Sequence, residues 1–130
     1  MGSSRKIYEK EIEKHLFNNL SELSSEYKKY SDSSRQKQVE SGVIDILARD
    51  LDHNPVVIEI KLGEAKHDAF GQIMAYMGDI ENELLAESVS GIIVAESFSK
   101  KLKHAIMYDK FFIHLHQYEL NFNFDRYYVE

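Results

Sequence analysis

Apolar residues recur near the start of the chain at Ile12, Leu16, Leu20 and Leu23. Steps of three and four residues put them in one stripe, which predicts a helix over about 5–23. Ser3 or Ser4 is placed to cap its start. Glu9 and Glu13 fall along the same stripe, because positions three and four apart share a helix face, whereas Glu11 points elsewhere. An acid on the inward edge of a helix is either a rim residue or a functional one. Residues 24–41 are polar, rich in Ser and Lys and weakly periodic. They read as a loop with a short strand near 36–39, short of the composition of a disordered segment.

At 43–49 and 56–62 the period changes to two. Both runs are rich in β-branched residues, and Asp50-Leu51-Asp52-His53-Asn54-Pro55 between them has turn chemistry throughout. The pair therefore reads as an antiparallel hairpin. Alternation puts Val43, Asp45 and Leu47 on one face of the first strand. On the second strand Val57, Glu59 and Lys61 share a face, with Ile58 and Ile60 on the other. Such a hairpin brings Asp45, Glu59 and Lys61 together. Charge inside an apolar strand is costly unless it is paired or holds a metal ion. Strands needed only for packing would more simply carry Val or Leu there.

The next helix is expected from Glu64 or Ala65 to Met77, with Ala65, Ala69, Ile73 and Met77 on its apolar face. Ala69 and Gly71 are small enough for close approach to a sheet, and Gln72 and Tyr76, four apart, lie together. Gly78 and the acidic run 79–87 predict a break and a further helical piece. Gly91-Ile92-Ile93-Val94-Ala95 reads as a short buried strand, and 98–109 as a helix with Leu102, Ala105 and Ile106 inward. The tail, 111–128, alternates as a final strand or hairpin. Helix, hairpin, helix, strand, helix, strand makes a mixed α/β layer fold, one domain over 1–130, with helices against a central sheet.

Composition narrows the function. The 130 residues are 43% hydrophobic and 29% charged, ordinary for a soluble globular protein. The absence of Cys excludes disulfides, thiol catalysis and Cys-ligated metal. No run reaches the length of a membrane span and the start lacks a signal-peptide core, so a cytoplasmic location is expected. A net charge of −6 argues against binding nucleic acid through bulk positive potential. Two local basic clusters stand out against it: Lys28, Lys29, Arg35 and Lys37, then Lys100, Lys101 and Lys103. Solvated surface is the ordinary reading of both.

Asp45 and Glu59 offer hard oxygen ligands suited to Mg²⁺ or Mn²⁺ rather than zinc. Lys61 on the same face is able to orient a water and support charge at phosphorus, so the set is complete for metal-assisted phosphodiester hydrolysis. A lone Glu-x-Lys on a strand is usually a surface ion pair; an acid inside the preceding strand of the same hairpin favours function. Other candidates are weaker. His114 and His116 share a strand face but have no third ligand nearby, so they read as partly exposed strand residues. Ser97 and Ser99 have no His–Asp partner and read as helix caps. The eight Tyr and seven Phe read mostly as core, with Tyr27 and Tyr30, beside Lys28 and Lys29, the two that could instead stack on unpaired bases.

The string Gly42-Val43-Ile44-Asp45-Ile46-Leu47-Ala48, then Val57-Ile58-Glu59-Ile60-Lys61, then Gly71-Gln72-Ile73 with Tyr76-Met77-Gly78, resembles the PD-(D/E)XK nuclease superfamily. More narrowly it is similar to the nuclease domain of NucS-type endonucleases. The likeness extends to Gly91-Ile92-Ile93-Val94-Ala95 and to Glu9-Lys10-Glu11-Ile12 with Leu16, Asn19 and Leu20. It implies a restriction-endonuclease-like mixed sheet flanked by helices, and a Mg²⁺- or Mn²⁺-dependent endonuclease acting on DNA in repair or restriction. By that resemblance Asp45 and Glu59 bind the metal, with the Ile60 carbonyl as a further ligand, and Lys61 is catalytic. Gln72 and Tyr76 would support the site, and the first-helix acid falls on Glu9, with Glu13 as runner-up.

Three departures limit the likeness. Ile44-Asp45 replaces the Pro-Asp dipeptide, and no glycine stands in the hairpin turn. The N-terminal domain that NucS-type enzymes use for dimerisation and DNA binding has no counterpart in these residues. Mismatch specificity and the mode of dimerisation are therefore not carried over, although gripping both strands of a duplex favours a homodimer. The alternative from another class is a weak or inactive nuclease-fold module that binds nucleic acid or assembles with a partner.

Overall fold

The computed structural model describes residues 2–108 and 112–129, with side chains from residue 8 onward. The caps expected at Ser3 or Ser4, and the boundary residues Asp109 and Phe111, lie outside that description. The expected class is the observed one: a mixed α/β fold around a central sheet.

Helix α1 spans Gly2–Phe17, and the apolar stripe continues into a separate 3₁₀ turn, Leu20–Glu22. The single helix expected to residue 23 is therefore interrupted. The Asn19 side-chain amide donates to the His15 carbonyl at 2.8 Å, while its own N–H turns to Leu16 at 2.9 Å and tightens the chain. Asn competes with the helix backbone in this way more readily than apolar residues do.

Segment 24–41 carries two strands rather than one. β1 (Lys28–Lys29) and β2 (Arg35–Val39) both pair antiparallel with β3 (Gly42–Arg49). β3 pairs antiparallel with β4 (Pro55–Ile60) as expected, with Ile46 opposite Ile58 and Ala48 opposite Val56. In the turn, Asp50 Oδ1 accepts the amides of Asp52 and Asn54 at 2.9 Å each, and His53 takes a φ of 63° where a glycine would sit most easily. β6 (Ser90–Ala95) then joins β4 in parallel, and β8 (Ile113–Gln117) joins β6 in parallel.

Two segments differ from expectation. Residues Glu64–Ala65 form β5, which pairs with β7 (Ser97–Phe98) instead of opening a helix. Helix α2 begins at Asp68 and runs unbroken to Leu84, straight through Gly78. Its buried residues Ile73, Met77 and Ile80 continue one stripe across that glycine. Each fully buried aliphatic side chain is worth roughly 1.5–3 kcal/mol against about 1 kcal/mol for a helical glycine, so packing prevails. A Cβ on Gly71 would have nothing within 4 Å, so the close approach is made elsewhere, by Gly91 on the strand. A Cβ on Gly91 would meet Ile73 and Met77 at 2.9 Å.

Helix α3 spans Lys100–Tyr108 with Leu102 buried and Ala105 and Ile106 partly so. Ser99 Oγ accepts the Leu102 amide at 3.1 Å, the cap read from the sequence, whereas Ser97 lies in β7. Beyond β8 the tail has no regular structure as far as residue 129.

The sheet separates two apolar layers. α2 and α3 cover one face, where Ile73, Ile80 and Leu102 meet Leu47, Val57 and Ile93. Leu16, Phe17 and Leu20 cover the other over Ile46, Ile58 and Ile92. No helix of the described residues is long and apolar enough to cross a membrane.

Candidate active site

The site opens where β3 and β4 part. Their paired register runs from Arg49 and Pro55 to Ile46 and Ile58. At the next level the backbone donors turn to carboxylates. Glu59 Oε1 accepts the Asp45 amide at 2.9 Å and Asp45 Oδ2 accepts the Ile60 amide at 2.8 Å. Strict alternation slips at the same place. Ile44 packs with Leu47 and Val57, while Ile46 and Ala48 lie in the opposite layer. Facing the slip on β2, Gln36 adopts a φ of 50°. A local break in strand phase of this sort re-aims a side chain, here Asp45, and such breaks are common beside active sites.

Both acids resist ionisation. Glu59 is 4% exposed, and burial first, then the Asp45 charge, pushes its carboxyl up to about 8. Burial likewise pushes Asp45 up to about 6; the Ile60 amide opposes that, Glu13 and Glu9 add to it, and Lys61 opposes it. Two carboxyl groups in one low-dielectric place favour a proton or a cation between them.

Lys61 follows β4 directly and is held at both ends. Its amide donates to Val94 at 2.8 Å and its carbonyl accepts the Tyr118 hydroxyl at 3.1 Å. Its ammonium donates to Gln72 Oε1 at 2.7 Å, and Gln72 Nε2 donates to the Tyr76 hydroxyl at 3.2 Å. Gln72 and Tyr76, four apart on α2, thus form one chain leading to the lysine. Tyr76 is 5% exposed, and its hydroxyl is raised by burial first and by Glu59 next. That hydroxyl leaves no room for a side chain at residue 42: a Cβ on Gly42 would meet it at 2.7 Å, and the φ of 152° there also favours glycine.

The two first-helix acids have different surroundings. Glu13 is 3% exposed and accepts from Gln36 Nε2 at 2.8 Å and Arg35 Nε at 3.4 Å. Glu9 is half-buried and lines two clefts. One, of about 310 Å³, also holds Glu13, Gln36 and Asp45. The other, of about 180 Å³, holds Lys61 and Lys66.

The donor set fits a hard divalent ion. Glu59 Oε1 and Asp45 Oδ2 each accept a backbone amide, Asp45 Oδ1 also takes the Gln36 Nε2 amide at a long 3.4 Å, and the buried, mutually repelling charges would gain from a cation. Among the described residues no group of three or more His, Cys, Asp and Glu is arranged around one point. The ion would rest on two carboxylates, the Ile60 carbonyl, water and substrate, a pattern ordinary for Mg²⁺.

His114 is exposed and His116 half-buried on β8, the latter lowered by burial and by its neighbour. Tyr27 packs beside the α1 layer. Sequence reasoning gave no role to Gln36, Gly42 or Tyr118. The string quoted for the resemblance contains Gly42, but nothing local marks Tyr118, which reaches Lys61 across 57 positions.

Comparison with known proteins identifies the family and the fold. The family model of the endonuclease NucS C-terminal domain matches residues 8–120. Endonuclease NucS of Pyrococcus horikoshii is 34% identical over 95 residues, covering 73% of this chain and 36% of that protein. The chain thus spans about a third of the length of that relative. A repair endonuclease from Pyrococcus abyssi superposes with a TM-score of 0.72 at 26% identity, over 83% of this chain and 45% of that one. EndoMS in its apo form gives 0.70 at 27% identity, over 87% and 47%. The chain belongs to the endonuclease NucS C-terminal domain family.

Proposed function

We propose that this chain is a PD-(D/E)XK-type nuclease domain that uses Mg²⁺ or Mn²⁺ to hydrolyse phosphodiester bonds within DNA. The observation that carries the reading is Lys61, fixed by Gln72 at 2.7 Å, beside the interlocked acids Asp45 and Glu59. Family membership supports endonuclease activity, and the donor set supports the choice of ion. Asp45, Glu59 and the Ile60 carbonyl would hold the ion, with Glu9 at the rim. When bound, it polarises a phosphoryl oxygen and acidifies water.

The chain's own residues do the rest. The Lys61 ammonium orients the attacking water and opposes negative charge growing at phosphorus. The water oxygen bonds to phosphorus and the bridging P–O bond breaks. The water's proton is released, and the leaving oxygen gains one. Gln72 and Tyr76 act as positioning residues that hold the ammonium in place. A homodimer in the cytoplasm belongs to the same reading.

A panel of labelled DNA and RNA structures, with Mg²⁺, Mn²⁺ or EDTA, tests it. Wild type should cut DNA only with a divalent ion, and Lys61→Ala and Asp45→Ala should be inactive while folded. Cleavage retained in purified Asp45→Ala protein overturns the assignment. DNA bound but never cut with either ion would leave only the binding-module alternative.

A further inference from the structure

The two basic clusters have different fates in the fold. Arg35 donates to Glu13 at 3.4 Å, Lys37 pairs with Glu83 at 2.9 Å, and Lys29 lies 4.4 Å over the Phe17 ring. Lys29 also donates to Asn18 at 3.1 Å, so most of the first cluster is engaged within the molecule. The second cluster is not. Lys100, Lys101 and Lys103 are exposed and make no ion pair among the described residues. Buried Leu102 fixes the roll of α3: Lys100 and His104 fall opposite it and Lys101 and Lys103 on its two flanks, all four exposed.

Their placement does not stabilise the helix. α3 has no acid in its first turn, and cations at that end oppose the helix dipole. Three adjacent, unpaired cations in a chain of net charge −6 repel one another unless an anion meets them.

The cluster is also continuous with the site. The Ser99 amide donates to the Ala65 carbonyl at 2.9 Å, and β5 pairs with β7 through Ala65 and Phe98. That contact sets Lys66 and His67 beside the start of α3. Lys66 lines the same cleft as Lys61 and Glu9. Glu64 and Asp68, on either side of Lys66 in the chain, also line that cleft, and Glu96 is occupied by the Gly63 amide at 3.1 Å. The cleft is thus of mixed charge, whereas the start of α3 beside it carries lysines and no acid.

We propose that Lys66 and the outer face of α3 form a phosphate track for the DNA backbone that flanks the bond to be cut. This rests on the nuclease reading of the site. Lys100, Lys101 and Lys103 fall within the first turn of α3, about 4.5 Å along its axis, so with Lys66 they would meet a few neighbouring phosphates rather than follow the groove for a full helical turn. The partner is a duplex long enough to run past the cleft, not a short end lying within it.

Fluorescence anisotropy with a labelled duplex in EDTA tests the track without cleavage. The triple variant Lys100→Gln, Lys101→Gln, Lys103→Gln should reduce the slope of log affinity against log salt by about two to three. It should also weaken binding at least tenfold at low salt and raise KM for duplex cleavage, with an unchanged thermal midpoint. The matching Lys→Arg triple should keep the wild-type slope. A folded Gln triple with wild-type slope and affinity overturns the track, even if the wild type cuts DNA. Cleavage surviving Lys61→Ala would instead overturn the nuclease reading, whatever the slope.

Discussion

Asp45 and Glu59 hold each other's strand: Glu59 Oε1 takes the Asp45 amide at 2.9 Å, and Asp45 Oδ2 takes the Ile60 amide at 2.8 Å. The acids thereby replace carbonyl acceptors that a continued ladder would supply. Their shorter bonds are to backbone donors, with the Gln36 amide at 3.4 Å the longer contact on Asp45 Oδ1, so their positions are set by the strands themselves.

That fixation has a pH signature in metal-free protein. Burial raises Asp45 from 3.8 to about 6 and Glu59 from 4.5 to about 8. The native state therefore keeps protons that the unfolded chain has released. Stability from this source is full below the unfolded values and is lost as pH rises through the folded ones. Thermal melts in EDTA should show the midpoint falling by several degrees between pH 5 and pH 8.5. Glu59→Gln should flatten much of that fall, and Mg²⁺ should restore the wild type at pH 8.5. A wild-type midpoint indifferent to pH across this window would contradict the account.

A second expectation concerns residue 42. Gly42→Ala places a Cβ 2.7 Å from the Tyr76 hydroxyl, and at 3.2 Å from its ring, in a backbone conformation that favours glycine. The strain and overpacking should cost ~1–3 kcal/mol. Displacing Tyr76 also loosens Gln72 and Lys61, so kcat should fall about tenfold or more. Tyr76→Phe removes the closest atom, and in the Gly42→Ala background it should recover part of the stability. Urea melts of the four proteins measure this; strictly additive effects would show that the two residues do not meet.

How far the sequence discloses this site depends on the range of the interactions involved. The hairpin is readable because period two, β-branched residues and an Asp-rich turn are all local, and Lys61 follows from alternation on the second strand; Gln72 and Tyr76 can be placed together by their spacing, but enter the site only through the family resemblance. The strand content of 24–41 is not local. Arg35 and Lys37 look solvated until Glu13 and Glu83, on two different helices, are folded against them. The slip that turns Asp45 is a property of two strands parting, not of either strand alone. Tyr118 reaches Lys61 only because β8 is laid beside β6. Gly78 misleads for a related reason: local propensity reads a break where a continuous apolar stripe decides the outcome.

Glu9 and Glu13 should separate by assay. Glu13 is buried with Arg35 and Gln36, so Glu13→Ala takes the carboxylate from the Arg35 guanidinium and leaves the Gln36 amide only its longer contact with Asp45 at 3.4 Å. A loss of ~1–3 kcal/mol is expected. Glu9 lies at the rim between the Asp45 and Lys61 clefts. Glu9→Ala should change stability by no more than about 0.5 kcal/mol yet lower Mg²⁺-dependent cleavage. Denaturant melts paired with a Mg²⁺ titration of the rate decide between them. Equal destabilisation by both changes would count against the division of roles.

Two glycines on either side of the α2 packing layer should respond in opposite directions to the same change. Gly78 lies inside the helix with nothing within 4 Å of a Cβ, so Ala there adds helix propensity without crowding. Gly78→Ala should stabilise by ~0.5–1 kcal/mol, raising the midpoint by about 2–5 °C for a domain of this size. Gly91 lies in β6, and its Cβ would press on Ile73 Cδ1 and Met77 Sδ at 2.9 Å each. These are interior side chains with little freedom to withdraw, so Gly91→Ala should destabilise by ~1–3 kcal/mol. Shortening one of the opposing chains tests the cause directly: Met77→Ala should cost less in the Gly91→Ala background than in wild type, because the new methyl occupies part of the space it vacates. An equal cost in both backgrounds would mean that Gly91 is required for something other than the close approach of α2.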